Sequence, residues 1–104
     1  MTYSQALTAL ADPTRRALYD RLRRRPYAVG ELARALAVTQ PAVSQHLSVL
    51  RNARLVRMRR EGTRRIYAPD PAGLEPLRRY VEALWDDVLR AYARSFDGPG
   101  EPTR

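Results

Sequence analysis

The spacing of the apolar residues changes near position 56, and this change limits the folds open to the chain. Before it, Val43, Leu47 and Leu50 recur at helical spacing. From Val56 onward, apolar residues alternate with arginines, as in a half-exposed strand, and a turn at Gly62 reverses the chain. Helical spacing then returns in the last third of the sequence. The pattern predicts a mainly α fold that contains one small β-hairpin.

Five helices are predicted around this hairpin, from N-terminal caps and stripes of apolar residues. Thr2 and Gln5 fit a capping box for the first helix. Asp12 caps the second helix, which Pro13 opens and which runs to about Arg24. The other three are predicted over residues 29–36, from Thr39 as N-cap, and over about 72–95.

The third and fourth predicted helices are separated by only three residues, and the hairpin follows them. This order is typical of a winged helix-turn-helix, whose second helix lies in the DNA major groove. Any compact bundle of three helices also contains such a pair, so the alternative interpretation is an ordinary helical bundle in which the pair is not a DNA-binding motif. On the first interpretation, short polar side chains near the start of the fourth helix reach base edges. They are Gln40, Ser44, Gln45 and His46.

Arginines are concentrated in the predicted hairpin, whose second strand is expected over residues 65–68 and ends before Pro69. The hairpin arginines are Arg57, Arg59, Arg60, Arg64 and Arg65. Only Glu61 offsets them, and like charges this close repel one another, so fold stability does not explain the cluster. A wing that contacts phosphates or enters a minor groove does explain it. The alternative is a solvated edge strand whose charges prevent aggregation.

The net charge is distributed unevenly along the 104 residues. Residues 1–65 carry 14 arginines against four acids, a net charge of +10, whereas residues 66–104 carry a net charge of −2. Every basic residue is Arg, which suits bidentate recognition of phosphate and guanine but is equally consistent with an effect of genomic base composition. Arg15 and Arg16 lie at the start of a helix whose positive end is expected to approach phosphate, although a purely structural role is the alternative for Arg15. We expect the first part to face double-stranded DNA.

Several segments resemble the arsenical-resistance-repressor (ArsR) family of winged helix-turn-helix regulators. They are Thr39–Leu47, which is similar to the family's recognition helix, Leu10–Arg15, Val29–Ala33, and the wing segment Arg60–Arg64. The resemblance extends over about residues 5–92. It implies a homodimeric repressor that binds an inverted-repeat operator and releases it on a signal, with a dimer interface made by the first and last helices.

The last predicted helix has apolar residues on more than one stripe, more than one small domain can usually cover. A second copy of the chain is the economical partner, although packing on the protein's own core is the alternative for some faces. The predicted interface residues are Leu7, Leu10, Leu77, Val81, Leu84, Trp85, Val88 and Tyr92. We expect residues 1–96 to form one DNA-binding and dimerisation domain, followed by a disordered tail over 97–104.

The metal sites that the resemblance implies are not matched by this sequence. The family's thiolate pair falls at Ala28 and Gly30, and the chain contains no cysteine. The last helix has no His; Glu82 and Asp86 lie one turn apart and either bind a hard cation or form a solvated face. His46, the only His, either touches phosphate or braces its helix. We therefore predict no metal and no cofactor, and the effector stays unidentified.

The predicted function is sequence-specific transcriptional regulation, with nonspecific, nucleoid-type DNA binding as the alternative. An enzyme is not expected, because no nucleophile with a nearby base and no phosphate-binding glycine loop occurs in the sequence. The first residues lack the basic flank and apolar stretch of a secretory signal, and no run of about 18 apolar residues is present. We expect a cytoplasmic protein that does not enter a membrane.

Overall fold

The caps that the sequence predicts are present and begin their helices as expected. The Thr2 hydroxyl accepts from the amide of Gln5 at 3.2 Å, and the Gln5 side chain accepts from the amide of Thr2 at 2.8 Å. Asp12 Oδ1 accepts from the amides of Thr14 and Arg15 at 2.8 and 3.1 Å. Each cap satisfies amides that have no partner within the helix.

A computed structural model describes residues 2–95, so the predicted tail over 97–104 lies outside the described residues. The elements in chain order are α1 Tyr3–Ala11, α2 Pro13–Leu22, β1 Tyr27–Ala28, α3 Val29–Leu36, α4 Gln40–Asn52, β2 Val56–Glu61, β3 Arg64–Pro69 and α5 Pro71–Ser95. Helix α2 ends two residues before the predicted Arg24, because the chain turns there to enter β1. The bounds of α3 agree with the prediction.

The predicted hairpin is present as β2 and β3, and a third antiparallel strand that was not predicted extends the sheet, giving the order β1-β3-β2. The additional strand, Tyr27–Ala28, pairs with Tyr67 and Ile66 of β3. Two residues are too few to show an alternating pattern, which is why the sequence does not reveal this strand. Pro69 lies within β3, opposite Val56, and does not end the strand before it.

The hydrophobic core lies between α2, α3, α4 and the sheet. Six leucines are fully buried there: Leu18, Leu22, Leu32, Leu47, Leu50 and Leu55. Helix α1 covers one side of this core with Ala6 and Ala9. Burial of this kind contributes about 25 cal/mol per Å² of apolar surface and holds the three central helices in place.

Helices α3 and α4 are joined by the predicted three-residue turn, in which Ala37 has the left-handed value φ 54°. The amide of Val38 donates to the carbonyl of Ala33 at 3.0 Å, which closes the end of α3. With the hairpin after α4, this arrangement is a winged helix-turn-helix. Helix α5 then leaves this unit, and the described chain measures 61 × 27 × 20 Å.

Candidate nucleic-acid interface

Helix α4 is fixed to the domain through one face only. The Thr39 hydroxyl caps it, accepting from the amide of Ala42 at 3.4 Å. Val43, Leu47 and Leu50 are fully buried, as their spacing predicts. The opposite face is therefore free to contact a ligand along the length of the helix.

The outward face of α4 is formed by residues three and four positions apart: Pro41, Gln45, Ser48 and Asn52, all exposed. Of the predicted contact residues, Gln45 lies at the centre of this face. Gln40, which is exposed, and Ser44, which is half-buried, lie on the flank nearer α3. Ser48 was missed by the sequence interpretation, although its position three residues after Gln45 would have indicated it.

His46 lies on the other flank of α4, half-buried and directed toward the start of α2. It lies near enough to the carboxylate of Asp12 to interact with it electrostatically. The amide of Arg15 hydrogen-bonds to that carboxylate and is the main cause of a pKa below the usual range for Asp12; the charges of Arg15 and His46 lower the pKa further. Of the two roles considered for His46, this position favours bracing the helix.

Arg15 and Arg16, adjacent in sequence, have different surroundings. Arg15 Nε donates to the carbonyl of Ala9 at 2.7 Å, and a terminal nitrogen donates to the carbonyl of Thr8 at 3.3 Å. These bonds cap the C-terminal end of α1, which is the structural role for Arg15. Arg16 is exposed and forms no ion pair with any residue from 2 to 95.

The wing arginines occupy both faces of the hairpin. All four predicted contact residues, Arg57, Arg59, Arg64 and Arg65, are exposed, as is Arg60. Strand alternation and register place Arg57, Arg59 and Arg64 on one face, with Arg60 and Arg65 directly opposite each other on the other face. The sequence indicates the cluster but not this division.

Two of the wing arginines have acidic partners. Arg59 donates to the Glu61 carboxylate at 2.8 and 3.1 Å. Arg64 lies 3.7 Å from the carboxylate of Glu31 in α3. Arg57, Arg60 and Arg65 make no ion pair within the described part of the chain. The repulsion between the last two therefore has no acidic partner to relieve it.

Glu31 connects the wing to the helix-turn-helix. Its carboxylate accepts from the amide of Ala28 at 2.8 Å and lies 3.9 Å from Arg25, whose guanidinium stacks 3.7 Å above the ring of Tyr27. The bond from Ala28 is the main cause of a lowered pKa for Glu31, and the charges of Arg25 and Arg64 add to it. Glu31 thus stays ionised at neutral pH and holds Arg64 near α3.

A polar groove runs between the wing and the start of α4. The residues that line it include Gly30, Glu31, Arg34, Gln40, Arg64 and Arg65. The groove brings side chains from α3, α4 and the wing to one surface. It connects a helix of polar side chains with a cluster of guanidinium groups, the two kinds of contact that reading and holding DNA require.

A second candidate surface, made of apolar side chains, lies on α1 and α5. Leu7, Val81, Leu84, Trp85 and Val88 are exposed, with Trp85 the most exposed at 64%. Leu10, Leu77 and Tyr92, also predicted at the interface, are half-buried within the protomer. Leu74 and Leu89 are further exposed apolar residues that the prediction omitted.

Helices α1 and α5 pack against each other inside the protomer. The rings of Tyr3 and Tyr80 stack with their centres 3.9 Å apart and an angle of 7° between their planes. This contact uses one edge of the apolar arc of α5 and leaves the exposed residues beside it. Packing inside the protomer therefore accounts for one stripe of α5, and the exposed stripe beside it is not covered by any residue from 2 to 95.

Three of the four acidic residues of α5 are paired with arginines, and the fourth, Asp86, forms no ion pair with any residue from 2 to 95. Arg78 bonds to both Glu75 and Glu82, the latter at 2.6 Å, and Arg90 bonds to Asp87 at 2.9 Å. Residues 2–95 contain no group of three His, Cys, Asp or Glu side chains that could hold a metal ion. No helix in the same range is long and apolar enough to cross a membrane.

Comparison with known proteins yields one family and several close relatives. The family model described as bacterial regulatory protein, arsR family, matches residues 12–58. The HTH-type transcriptional regulator Rv2034 of Mycobacterium tuberculosis is 54% identical over 99 residues, which are 95% of this chain and 92% of that protein. KmtR of the same organism is 50% identical over 93 residues, 89% of this chain and 65% of that protein.

Solved structures with the same fold include two regulators of this kind. A possible transcriptional regulator for arsenical resistance has a TM-score of 0.70 and 39% identity, covering 85% of this chain and 93% of that one. The homodimeric winged helix-turn-helix DNA-binding domain of Mb0332 from Mycobacterium bovis has a TM-score of 0.65 and 30% identity, covering 81% and 78%.

Proposed function

The chain belongs to the arsR family of bacterial regulatory proteins, and on that premise we propose that it is a homodimeric repressor that binds an inverted-repeat DNA operator. It is a DNA-binding transcriptional regulator, a role that is not enzymatic. The observation that carries the proposal is the polar groove that joins Gln40 of α4 to Arg64 and Arg65 of the wing. Few other ligands require a polar helix face and guanidinium groups on one surface.

Helix α4 enters the major groove and reads the base sequence. Gln45, at the centre of the outward face, is assigned the main base contact, because an amide side chain pairs in bidentate fashion with adenine. Gln40 and Ser44 contact the bases or phosphates on the α3 side, and Ser48 extends the contact surface. His46 contributes to DNA binding indirectly, because it supports α4 against the start of α2.

The wing holds the DNA backbone or the adjacent minor groove. Arg57 and Arg65 are exposed and without acidic partners in the described chain, so they are the first choices for phosphate contacts. Arg59 and Arg64 exchange Glu61 and Glu31 for phosphate when DNA is bound. These contacts supply affinity for every sequence and make binding sensitive to salt.

The dimer forms through the apolar surface of α1 and α5. A stripe containing Val81, Trp85 and Val88 is exposed, and a contiguous exposed apolar surface of this kind is typical of a protein–protein interface. A second copy related by a two-fold axis covers the same stripe on both chains. Two α4 helices about 34 Å apart then meet successive major grooves of a palindromic site.

The signal that releases DNA is not a metal bound by the family's known ligands. Ala28 and Gly30 stand at the thiolate positions, and Glu82 is paired with Arg78. We therefore propose regulation by a small molecule, by a protein partner or by protein concentration alone.

The test measures binding of the purified protein to its own promoter region and to random DNA over a series of salt concentrations. A sequence-specific repressor prefers one palindromic site by roughly 10³-fold or more, with two protomers bound per site. Equal, salt-sensitive affinity for both DNAs would contradict the proposal. It would favour nonspecific, nucleoid-type binding through the same arginines.

A further inference from the structure

The end of α4 and the start of α5 meet through backbone atoms at a small contact, which we call the α4–α5 joint. It consists of Ala53, Arg54 and Leu55 on one side and Asp70 and Gly73 on the other. The amide of Gly73 donates to the carbonyl of Arg54 at 2.9 Å, and the amide of Asp70 donates to the carbonyl of Leu55 at 3.0 Å. Arg54 presents its carbonyl from the left-handed region, with φ 61°.

Gly73 allows the two backbones to approach more closely than any other residue would. A Cβ at this position would lie closer than 3.0 Å to backbone atoms of Ala53 and Arg54, a separation that real Cβ atoms essentially never show. Because the obstructing atoms are backbone, no change of side-chain rotamer makes room. Gly73 is also the one buried residue in α5, all of which is described.

The α4–α5 joint lies at one end of a long helix, so it influences the direction of the whole of α5. Helix α5 has 25 residues and is about 37 Å long at 1.5 Å per residue. Apart from the joint, it is held to the protomer mainly by α1, through contacts such as the stack of Tyr3 on Tyr80. A small displacement at the joint therefore becomes a large one at the far ends of α4 and α5.

We propose that Gly73 is a positioning residue for operator binding: it fixes the angle between α4 and α5, and so sets the distance between the two α4 helices of the dimer. The inference rests on the proposed function, because it needs a dimer that reads two half-sites. Helix propensity favours Ala over Gly inside a helix, so the local preference of α5 does not account for this residue. The close backbone contact does.

The distance between the α4 helices can be measured directly, because the chain has no cysteine. Ser48→Cys places one spin label per protomer on the exposed face of α4. Adding Gly73→Ala is expected to shift the label-to-label distance in double electron–electron resonance beyond the width of the original distribution. The matched control, Ala72→Ser, changes an exposed residue of the same turn and leaves the distance unchanged.

DNA binding gives a second readout that general destabilisation would not produce. Duplexes are selected from a random library by the unmodified chain and by Gly73→Ala. The variant is expected to select the same half-site sequence but a different spacing, and to bind the original spacing about tenfold or more weakly. If a duplex with an altered spacer between the half-sites restores the affinity of Gly73→Ala, its weaker binding comes from a changed distance between the two α4 helices and not from a less stable fold.

The outcomes separate the two proposals. No label-to-label distance in the Ser48→Cys protein alone contradicts the dimer, and this inference with it. A dimer whose distance and selected spacing do not change with Gly73→Ala contradicts the inference alone. If Gly73→Ala does not fold, Asp70→Ala loosens the first turn of α5, which carries Gly73, without adding atoms, since it removes the side-chain oxygen that caps this turn by accepting from the amide of Ala72 at 3.0 Å. A broader distance distribution is then expected, and an unchanged one overturns the inference.

Discussion

Helices α4 and α5 are both amphipathic, yet their apolar residues end in opposite surroundings. In α4 the apolar stripe Val43, Leu47 and Leu50 is fully buried, and polar residues face outward. In α5 the apolar residues Val81, Trp85 and Val88 are more than half exposed, and acidic residues such as Glu82 form ion pairs with arginines of the same helix. The same kind of pattern thus forms part of the core in one helix and an exposed apolar stripe in the other.

The difference indicates a division of labour. On the proposed function, helix α4 is anchored by its apolar side and presents its polar side to DNA, whereas α5 presents its exposed apolar side to a second copy of the chain. The predictions below test this division, from the largest expected effect to the smallest.

Removing core volume from α4 is expected to have the largest effect on stability. Leu47→Ala should lower the free energy of unfolding by about 2–5 kcal/mol, because a fully buried leucine leaves a cavity. Chemical denaturation at several protein concentrations measures it, and the loss should be the same at each concentration. The Val88 side chain in α5 is exposed, so Val88→Ala should lower the free energy of unfolding of the protomer far less. An equal loss for both variants would contradict the contrast between the two helices.

Trp85→Ala is expected to weaken the dimer by about 2–4 kcal/mol, because large aromatic residues at an interface contribute most of the binding energy. Sedimentation equilibrium measures the dissociation constant, with Asp86→Ala on the adjacent exposed position as the control. Trp85 is also the only tryptophan, so its emission should shift to shorter wavelength as the protein concentration rises. A concentration-independent emission maximum would place the interface elsewhere.

Gln45→Ala is expected to weaken operator binding by about 1–3 kcal/mol and to relax specificity at one base pair, with the dimer unchanged. Arg57→Ala should instead weaken binding to all sequences alike, and it should reduce the slope of log affinity against log salt concentration by about one. Fluorescence anisotropy on the operator and on random DNA distinguishes the two. Equal losses on both DNAs for both variants would show that α4 does not read bases.

Ala37→Gly is expected to raise the free energy of unfolding slightly, by about 0.5–1 kcal/mol, because Ala37 has φ 54° and glycine adopts this conformation without strain. Thermal denaturation measures the gain. The control, Ala35→Gly, is an exposed position within α3 and should lose stability by a similar amount. A loss at both positions would show that unfolded-chain entropy outweighs the strain.

Much of the fold could be predicted from local signals. The caps at Thr2 and Asp12, and the apolar stripe of α4, depend on residues within a few positions of one another. The strand Tyr27–Ala28 could not, because it exists only through pairing with β3, some 40 residues later in the chain. The close backbone contact of Gly73 could not be predicted either, because the backbone that it approaches belongs to a different part of the chain.

The candidate site was predicted in composition but not in arrangement. The arginine cluster and the polar residues of α4 were identified from the sequence, but the contact between Arg64 and Glu31 joins elements 33 positions apart and could not be. Likewise, the position of His46 beside Asp12 follows from the packing of α4 on α2.

The sequence by itself determined where the five helices and the two hairpin strands lie, to within a few residues, and which stripe of each helix is apolar, because caps, turns and periodicity are local properties of the chain. Only the tertiary structure decided which apolar stripes are covered, which arginines have acidic partners and how α5 is joined to α4. Burial and ion pairing depend on what approaches a surface from elsewhere in the molecule, so the stripe of α4 became core while that of α5 stayed exposed.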